Sequence, residues 1–538
     1  MIDMKPQKLL QLISVLLISL SLSAQDGESR YKYFNVTDYN FRIELNDSSD
    51  IIYGEARLSI NYIQKTDSLI LDFANLKKSG KGMIINTITE NNTSISFSHR
   101  NNKIAIPISK NNEIGNHVFT IKYQGIPEDG LIISRNKFGD RTFFGDNWPN
   151  RAHQWLPCID HPADKASLSF TVVAPERYQV VSNGVNTSEI KKEGIKSTTW
   201  VNTIPLSTKL MVIGVAEFAK QDLASVSGVP VSTWVYPQNK TEGFLDYSAA
   251  IKPLVYFSNL IAPFPFEKLA NVQSTTLYGG MENASCIFYA EQSVTGKARV
   301  ERLMAHEIAH QWFGDALSEK DWYHIWLSEG FATYLTGMYI EQNYGRAAFL
   351  RHINAEKQEV FDFEKIHLAP IIDTTLTISP DLLSPNTYQK ASWVLHMLRN
   401  ELGDSIFTKC LQNFYGDYKF KNALTINFLE VVEKVSGKQY DKFFEQWLYK
   451  SGHPNLQISW TYKEHQLLLK TKQIQKNTVF EFPLEIKVIN KNSVSTNMII
   501  QINSEEQIFI FNYLNSPIEI IADPGNNILL ESSIAQEK

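Results

Sequence analysis

The sequence predicts a multidomain α+β protein: an all-β N-terminal part, a mostly helical middle and a small β-sandwich at the end. Three observations carry this expectation. The chain has 538 residues, more than one hydrophobic core usually organises. Apolar residues alternate with polar ones in the first part of the chain and again at its end. Between these stretches they recur every three or four residues. Side chains alternate across a strand and repeat every 3.6 residues on a helix, so the two spacings separate half-buried strands from amphipathic helices.

Residues 9–22 are mostly apolar with several serines, they follow Lys5 and Lys8, and Ser21-Leu22-Ser23-Ala24 offers small residues for cleavage before Gln25. A run of roughly 14 residues is nearer a secretory signal than a membrane span of about 20. The expectation is a signal peptide over residues 1–24 and an exported mature chain (periplasmic, cell-surface or secreted) with no stable membrane insertion.

In residues 25–225, Tyr39, Phe41, Ile43 and Leu45 alternate with polar residues, as do Ala56, Leu58, Ile60 and Tyr62. Asn91-Asn92, Asn101-Asn102 and Pro127-Glu128-Asp129-Gly130 punctuate these runs as turns. In residues 226–455, Val300, Leu303, Met304 and Ile308 keep helical spacing, and so do Ala391, Val394, Leu395 and Leu398. Residues 271–292 interrupt the helices with β-favouring residues around Gly279-Gly280. In residues 456–538 alternation returns, through Leu456, Ile458, Trp460 and Tyr462 and then Phe480, Phe482, Leu484, Ile486 and Val488. That pattern reads as a small β-sandwich.

Composition is that of an ordinary soluble protein, 43% apolar and 20% charged, and the net charge of -5 gives no general attraction to nucleic acid or anionic membrane. Cys158, Cys286 and Cys410 are too few and too scattered for a disulfide framework.

The chemistry concentrates in His306-Glu307-Ile308-Ala309-His310. Residues four apart share a helix face, so both imidazoles can reach one ion, and Glu307 projects beside them. Two neutral imidazoles leave a zinc ion room for a third ligand and a water. Glu329 stands in the apolar stretch Trp326-Leu327-Ser328-Glu329-Gly330-Phe331-Ala332. A carboxylate there needs a partner, which a metal ion or a nearby Lys or Arg would supply.

His306-Glu307-x-x-His310 followed by Glu329 resembles the gluzincin signature, and its surroundings resemble the aminopeptidase N family of zinc metallopeptidases. Gly279-Gly280-Met281-Glu282-Asn283 matches that family's G-x-M-E-N exopeptidase motif. Tyr388-Gln389-Lys390-Ala391 resembles its catalytic-tyrosine helix, and Leu156-Pro157-Cys158-Ile159-Asp160-His161-Pro162 its P-C-x-D-E-P segment. The resemblance implies a saddle-like N-terminal β domain, a thermolysin-like catalytic domain and one zinc ion held by His306, His310 and Glu329. Many members also carry a long helical C-terminal domain; here none is expected, since the residues after 455 read as a small β-sandwich. The resemblance implies Glu307 as general base, Tyr388 as oxyanion donor and Gly279, Gly280, Met281, Glu282 and Asn283 as substrate-binding, with Glu282 anchoring the free amine of a peptide.

The chain departs from the family at three places. Gly280 stands where Ala is common, an exchange expected to be harmless. His161 replaces the usual Glu. The segment before the Pro-Cys pair offers Asp146 or Asn147 as a second amine-binding residue. Two other uses of such a scaffold compete with peptide cleavage: an epoxide-hydrolase-like reaction, and peptide binding without catalysis.

Overall fold

The computed structural model describes residues 30, 32–108, 114–376, 382–476, 478–491 and 494–537; the signal expected over residues 1–24 lies outside them. The described residues pack into two compact units. The first runs through Asp321 and takes in Lys419–Asn422; the second comprises Trp322–Leu376 and most of the chain beyond. Packing therefore divides the expected middle segment after Asp321. Residues at the start of that segment share buried polar contacts with the strands before them. The Asn183 side-chain amide donates to the Ala284 carbonyl at 2.8 Å, and Lys165 Nζ donates to the Ala316 carbonyl at 3.0 Å.

Within the first unit, strands Phe34–Glu44 and Ile52–Tyr62 pair antiparallel, and the former also runs parallel to Lys165–Pro175. All eight residues predicted to face inward from the first two strands and their ends, Tyr39 through Leu45 and Ala56 through Tyr62, are buried. Asn91, Asn92, Asn101 and Asn102 take positive φ, as Asn tolerates at tight turns. These strands belong to a large sheet; a smaller one joins Leu131–Arg135, Arg141–Gly145, Gln179–Ser182 and Ile213–Ala216.

The interruption expected over residues 271–292 is a sheet. Val231–Val235, Leu269–Ser274 and Cys286–Ala290 run parallel, and the short strand Gly280–Met281 closes antiparallel on the last. The second and third are buried along their whole length, as parallel strands covered on both faces are. Helices α1 (Lys240–Tyr247), α2 (Ile251–Leu260) and α3 (Glu301–His310) complete this part.

The second unit holds α4 (Trp326–Tyr344), α5 (Arg346–Glu364), α6 (Ala391–Leu402), α7 (Asp404–Tyr418), α8 (Thr425–Ser436) and α9 (Asp441–Tyr449). Helix α4 is buried on every side over residues 326–340, the mark of a core helix. A Cβ at Gly330 would overlap the Ala391 methyl, so α4 and α6 meet there with no side chain between them. The terminal strands form two sheets. One contains Asn455–Lys463, Gln466–Gln473, Glu506–Asn512 and Glu531–Gln536; the other contains Phe482–Asn490, Ser495–Ile502 and Pro517–Ala522. Leu456, Ile458, Trp460, Phe480, Phe482, Leu484, Ile486 and Val488 are buried as expected. Tyr462 is only half-buried, and its hydroxyl donates to the Tyr513 carbonyl at 3.0 Å. The three cysteines are free and buried. Among the described residues, no helix is long and apolar enough to cross a membrane.

Candidate active site

Helix α3 carries the strongest motif. Glu301 in its first turn suits the positive end of the helix dipole, and Met304, Ala305, Ile308 and Ala309 bury one face. His306 and His310 stand one turn apart with their Nε2 atoms 3.1 Å from each other. His310 Nδ1 donates to the Phe313 carbonyl at 3.2 Å. In a neutral ring this leaves the lone pair on Nε2, the arrangement that prepares a histidine to bind a metal. Ligand atoms of His306, His310 and Glu329 all lie within 4.8 Å of one another. Two imidazole nitrogens and one carboxylate are a donor set suited to zinc, with a coordination position left over. The residues present thus fit the ion that the motif implies.

Glu307 is buried and packs directly on the Gly279-Gly280 turn. A Cβ at position 280 would overlap the Glu307 carboxylate. The exchange of Ala for Gly280, read from sequence as harmless, is therefore coupled to the placement of Glu307. Gly279 is exposed, Gly280 half-buried, and Met281, Glu282 and Asn283 buried. Glu282 Oε1 is buried and has no hydrogen-bond partner among the described residues. An orphaned carboxylate oxygen is costly unless a cation reaches it.

The surroundings of Glu282 were not legible in the sequence. Lys209 Nζ pairs with Glu319 Oε1 at 2.6 Å, both side chains fully buried. Burial works against the Lys209 charge, but the carboxylates of Glu319 and Glu282 prevail and hold the lysine protonated. Burial, followed by the charge of Glu282, pushes the Asp315 carboxyl well above its ordinary range. Lys165 is driven down to about 7 by burial, while its Nζ donates to the Asp315 carbonyl at 3.1 Å. Gln311, next in sequence to His310, donates to the Glu282 carbonyl at 2.6 Å. Gln311 and Asp315 lie in the stretch that follows His310, but no motif announces Lys165, Lys209 or Glu319, whose importance comes from partners distant in sequence.

Of the two candidates for a second amine-binding residue, Asn147 is excluded by its bonding. Its Oδ1 accepts from Trp155 Nε1 at 2.8 Å, and its Nδ2 donates to the Thr208 and Met211 carbonyls at 3.0 and 2.6 Å. That side chain is spent on holding a buried corner. Asp146 is also fully buried; it pairs with Arg151 and accepts from the Leu277 N–H at 3.3 Å.

Tyr388 lies in a π-helical turn, Asn386–Lys390, that leads into α6. Such local widenings of a helix often accompany functional positions. Ala391, Leu395 and Leu398 are fully buried whereas Tyr388 is half-buried, so the stripe they share is core with the tyrosine at its edge. Three side chains fix the turn. Asn386 donates to the Ala369 carbonyl at 2.9 Å, Thr387 donates to the Leu382 carbonyl at 2.7 Å, and Lys390 Nζ meets Glu364 Oε1 at 2.7 Å. Glu364 also accepts from His453.

The family model described as Peptidase family M1 domain matches residues 247–447, and the Peptidase M1 N-terminal domain matches residues 35–210. A probable aminopeptidase 2 of Sulfurisphaera tokodaii is 28% identical over 481 residues, covering 85% of this chain and 58% of that protein. Glutamyl aminopeptidase of Rattus norvegicus is 27% identical over 334 residues, covering 58% of this chain and 35% of its own length. The chain thus spans little more than half of the first relative and about a third of the second. The crystal structure of Legionella pneumophila aminopeptidase A in complex with aspartic acid matches with a TM-score of 0.80 at 18% identity, covering 94% of this chain and 60% of that one. That likeness is one of fold. Two domain models of one family, matched in order along the chain, place it in the M1 peptidase family.

Proposed function

We propose that the protein is a zinc-dependent aminopeptidase that hydrolyses the N-terminal bond of peptides bearing a free α-amine. The single observation that carries this reading is the buried, partnerless oxygen of Glu282, in a turn bonded to Gln311, the residue that follows His310. A carboxylate held there can take an α-ammonium and leave only the first peptide bond in attacking position.

His306, His310 and Glu329 would hold one zinc ion. Bound there, zinc supplies a Lewis acid that polarises the scissile carbonyl and makes a water acidic enough to attack near neutral pH. Glu307 accepts the proton of the attacking water and delivers it to the leaving amine. The Tyr388 hydroxyl donates a hydrogen bond to the oxygen on which negative charge develops. Glu282 pairs with the substrate ammonium, and the open backbone at Gly279 and Gly280 lets the peptide approach closely. The peptide partner is thus defined by its free N-terminus. Net charge and composition offer nothing for a nucleic acid.

The basic, apolar and small-residue order of residues 1–24 supports an exported location, which N-terminal sequencing of protein recovered from the cell envelope or medium would test. The activity test is hydrolysis of aminoacyl chromogenic substrates. The expected result is turnover of the free-amine substrate, none of its N-acetylated form, and loss on chelation with recovery on adding zinc. Cleavage of the acetylated form would indicate an endopeptidase. Absence of any turnover by metal-loaded protein would leave a binding function.

A further inference from the structure

The turn that carries Glu282 is bonded to Gln311, the residue that follows helix α3. Gln311 is fully buried, and its Nε2 donates to the Glu282 carbonyl at 2.6 Å and to Asp315 Oδ2 at 2.8 Å. Its Oε1 accepts from the Ser285 N–H at 2.7 Å. The same amide therefore grips both ends of the four-residue turn, and its orientation is fixed, since only Nε2 can donate and only Oε1 can accept. Ser285 sits at φ +62°, a left-handed conformation unusual for a residue with a side chain. Further bonds hold that conformation: the Gly184 N–H donates to Ser285 Oγ at 2.9 Å, and Lys268 Nζ donates to the Ser285 carbonyl at 3.0 Å. Asn183 holds the Ala284 carbonyl between them.

We infer that Gln311 is a positioning residue: it sets the spacing between the histidines of α3 and the Glu282 carboxylate, and so the register in which a peptide's free amine is held. The inference rests on the reading of Glu282 as amine anchor. An exopeptidase needs such a ruler, because an offset of about 1 Å between anchor and reacting group can cost 10²-fold in rate. Gln311 follows His310 directly in the chain, so any movement of the turn is measured against the helix that bears both imidazoles. The turn's other side-chain bonds, from Asn183, the Gly184 N–H and Lys268, come from residues outside α3.

The test uses two inhibitors that differ only in the amine, leucine hydroxamate and 4-methylpentanohydroxamate. Both present the same metal-seeking group. The ratio of their inhibition constants reads amine recognition alone, free of any general effect on folding or on the metal. Two variants are compared with the wild type: Gln311→Met, which removes all three bonds, and Gln311→Glu, which keeps the acceptor for Ser285 and loses the donor to Glu282 and Asp315. The expected result is that wild type prefers the amino form and that both variants lose about tenfold of that preference, the scale of one charge-assisted hydrogen bond. Affinity for the des-amino form and metal content per chain stay unchanged. A preference that survives in both variants, with only thermal stability or kcat lowered, overturns the inference and leaves Gln311 a packing residue. A wild type without any preference for the amino form overturns the reading of Glu282 instead, so the two failures are distinguishable.

Discussion

The turn carrying Glu282 and the turn carrying Tyr388 are each fixed from within their own unit, but by different chemistry. The first is held mostly by neutral amides and backbone groups: Gln311, Asn183 and the Gly184 N–H, with Lys268 as the charged member. The second is held by a buried charged chain, Lys390 to Glu364 to His453. Neutral hydrogen bonds cost little to bury and impose direction, which suits a carboxylate whose distance matters. A buried ion pair tolerates small changes of angle but leaves an uncompensated charge when either partner goes. The Glu282 turn should therefore fail in recognition when disturbed, and the Tyr388 turn in stability.

The largest expected effect is on the ionic side. Lys390→Met leaves the Glu364 carboxylate without its main buried cation, and unfolding by urea should show a loss of about 3–5 kcal/mol. Ser285→Ala in the other turn, leaving the Gly184 N–H without its acceptor, should cost about 1–3 kcal/mol. Equal losses would erase the distinction. The next effect separates the two turns in kinetics. Tyr388→Phe removes a donor to developing charge and should lower kcat about 10²–10³-fold with little change in KM. Glu282→Ala should chiefly raise KM for free-amine substrates. The reverse assignment of kcat and KM would mean that the roles are misplaced.

A smaller effect is expected at Gly280. A methyl there meets the far end of Glu307, which can swing aside at little cost to folding but not without moving the base. Gly280→Ala should leave the melting temperature unchanged and lower kcat/KM about 10- to 100-fold. Full activity would show that Glu307 has room to spare.

The smallest effect is a pH dependence confined to one turn. Burial raises the Glu364 carboxyl, but the hydrogen bond from His453 and the charge of Lys390 outweigh it and hold it below its ordinary 4.5. A carboxylate depressed in the folded state contributes stability that is present above its unfolded value and lost as pH falls through the folded one. As pH is lowered below about 4.5, amide exchange at residues 386–391 should quicken before that at residues 282–285. Simultaneous loss of protection would mean that the ionic chain is not what holds the Tyr388 turn.

The two turns also differ in how far the sequence exposed them. His306, His310 and Glu329 were legible because helical spacing sets which side chains can converge, and an acid in an apolar helix needs a partner. Strands were legible through alternation: Phe482, Leu484, Ile486 and Val488 point inward as their period requires. Residues whose role lies in a distant partner were hidden. Lys390 and Glu364 are 26 positions apart, and Glu364 and His453 are 89 apart. No local pattern connects them. Gln311 lies beside the metal motif, yet only the fold brings Glu282, 29 residues earlier, to its amide. Gly280 could be seen as a small residue, but its neighbour Glu307 could not. Asn147 looked available as a polar residue until its three buried bonds were known.

Everything chemical here depends on His306, His310 and Glu329 sharing one ion. The most direct measurement is the zinc content of purified protein by elemental analysis, on wild type, Glu307→Gln, His306→Ala and Glu329→Ala. About one equivalent per chain is expected in the first two and little or none in the last two. Full zinc content in His306→Ala or Glu329→Ala, or none in folded wild-type protein incubated with zinc, would contradict the account.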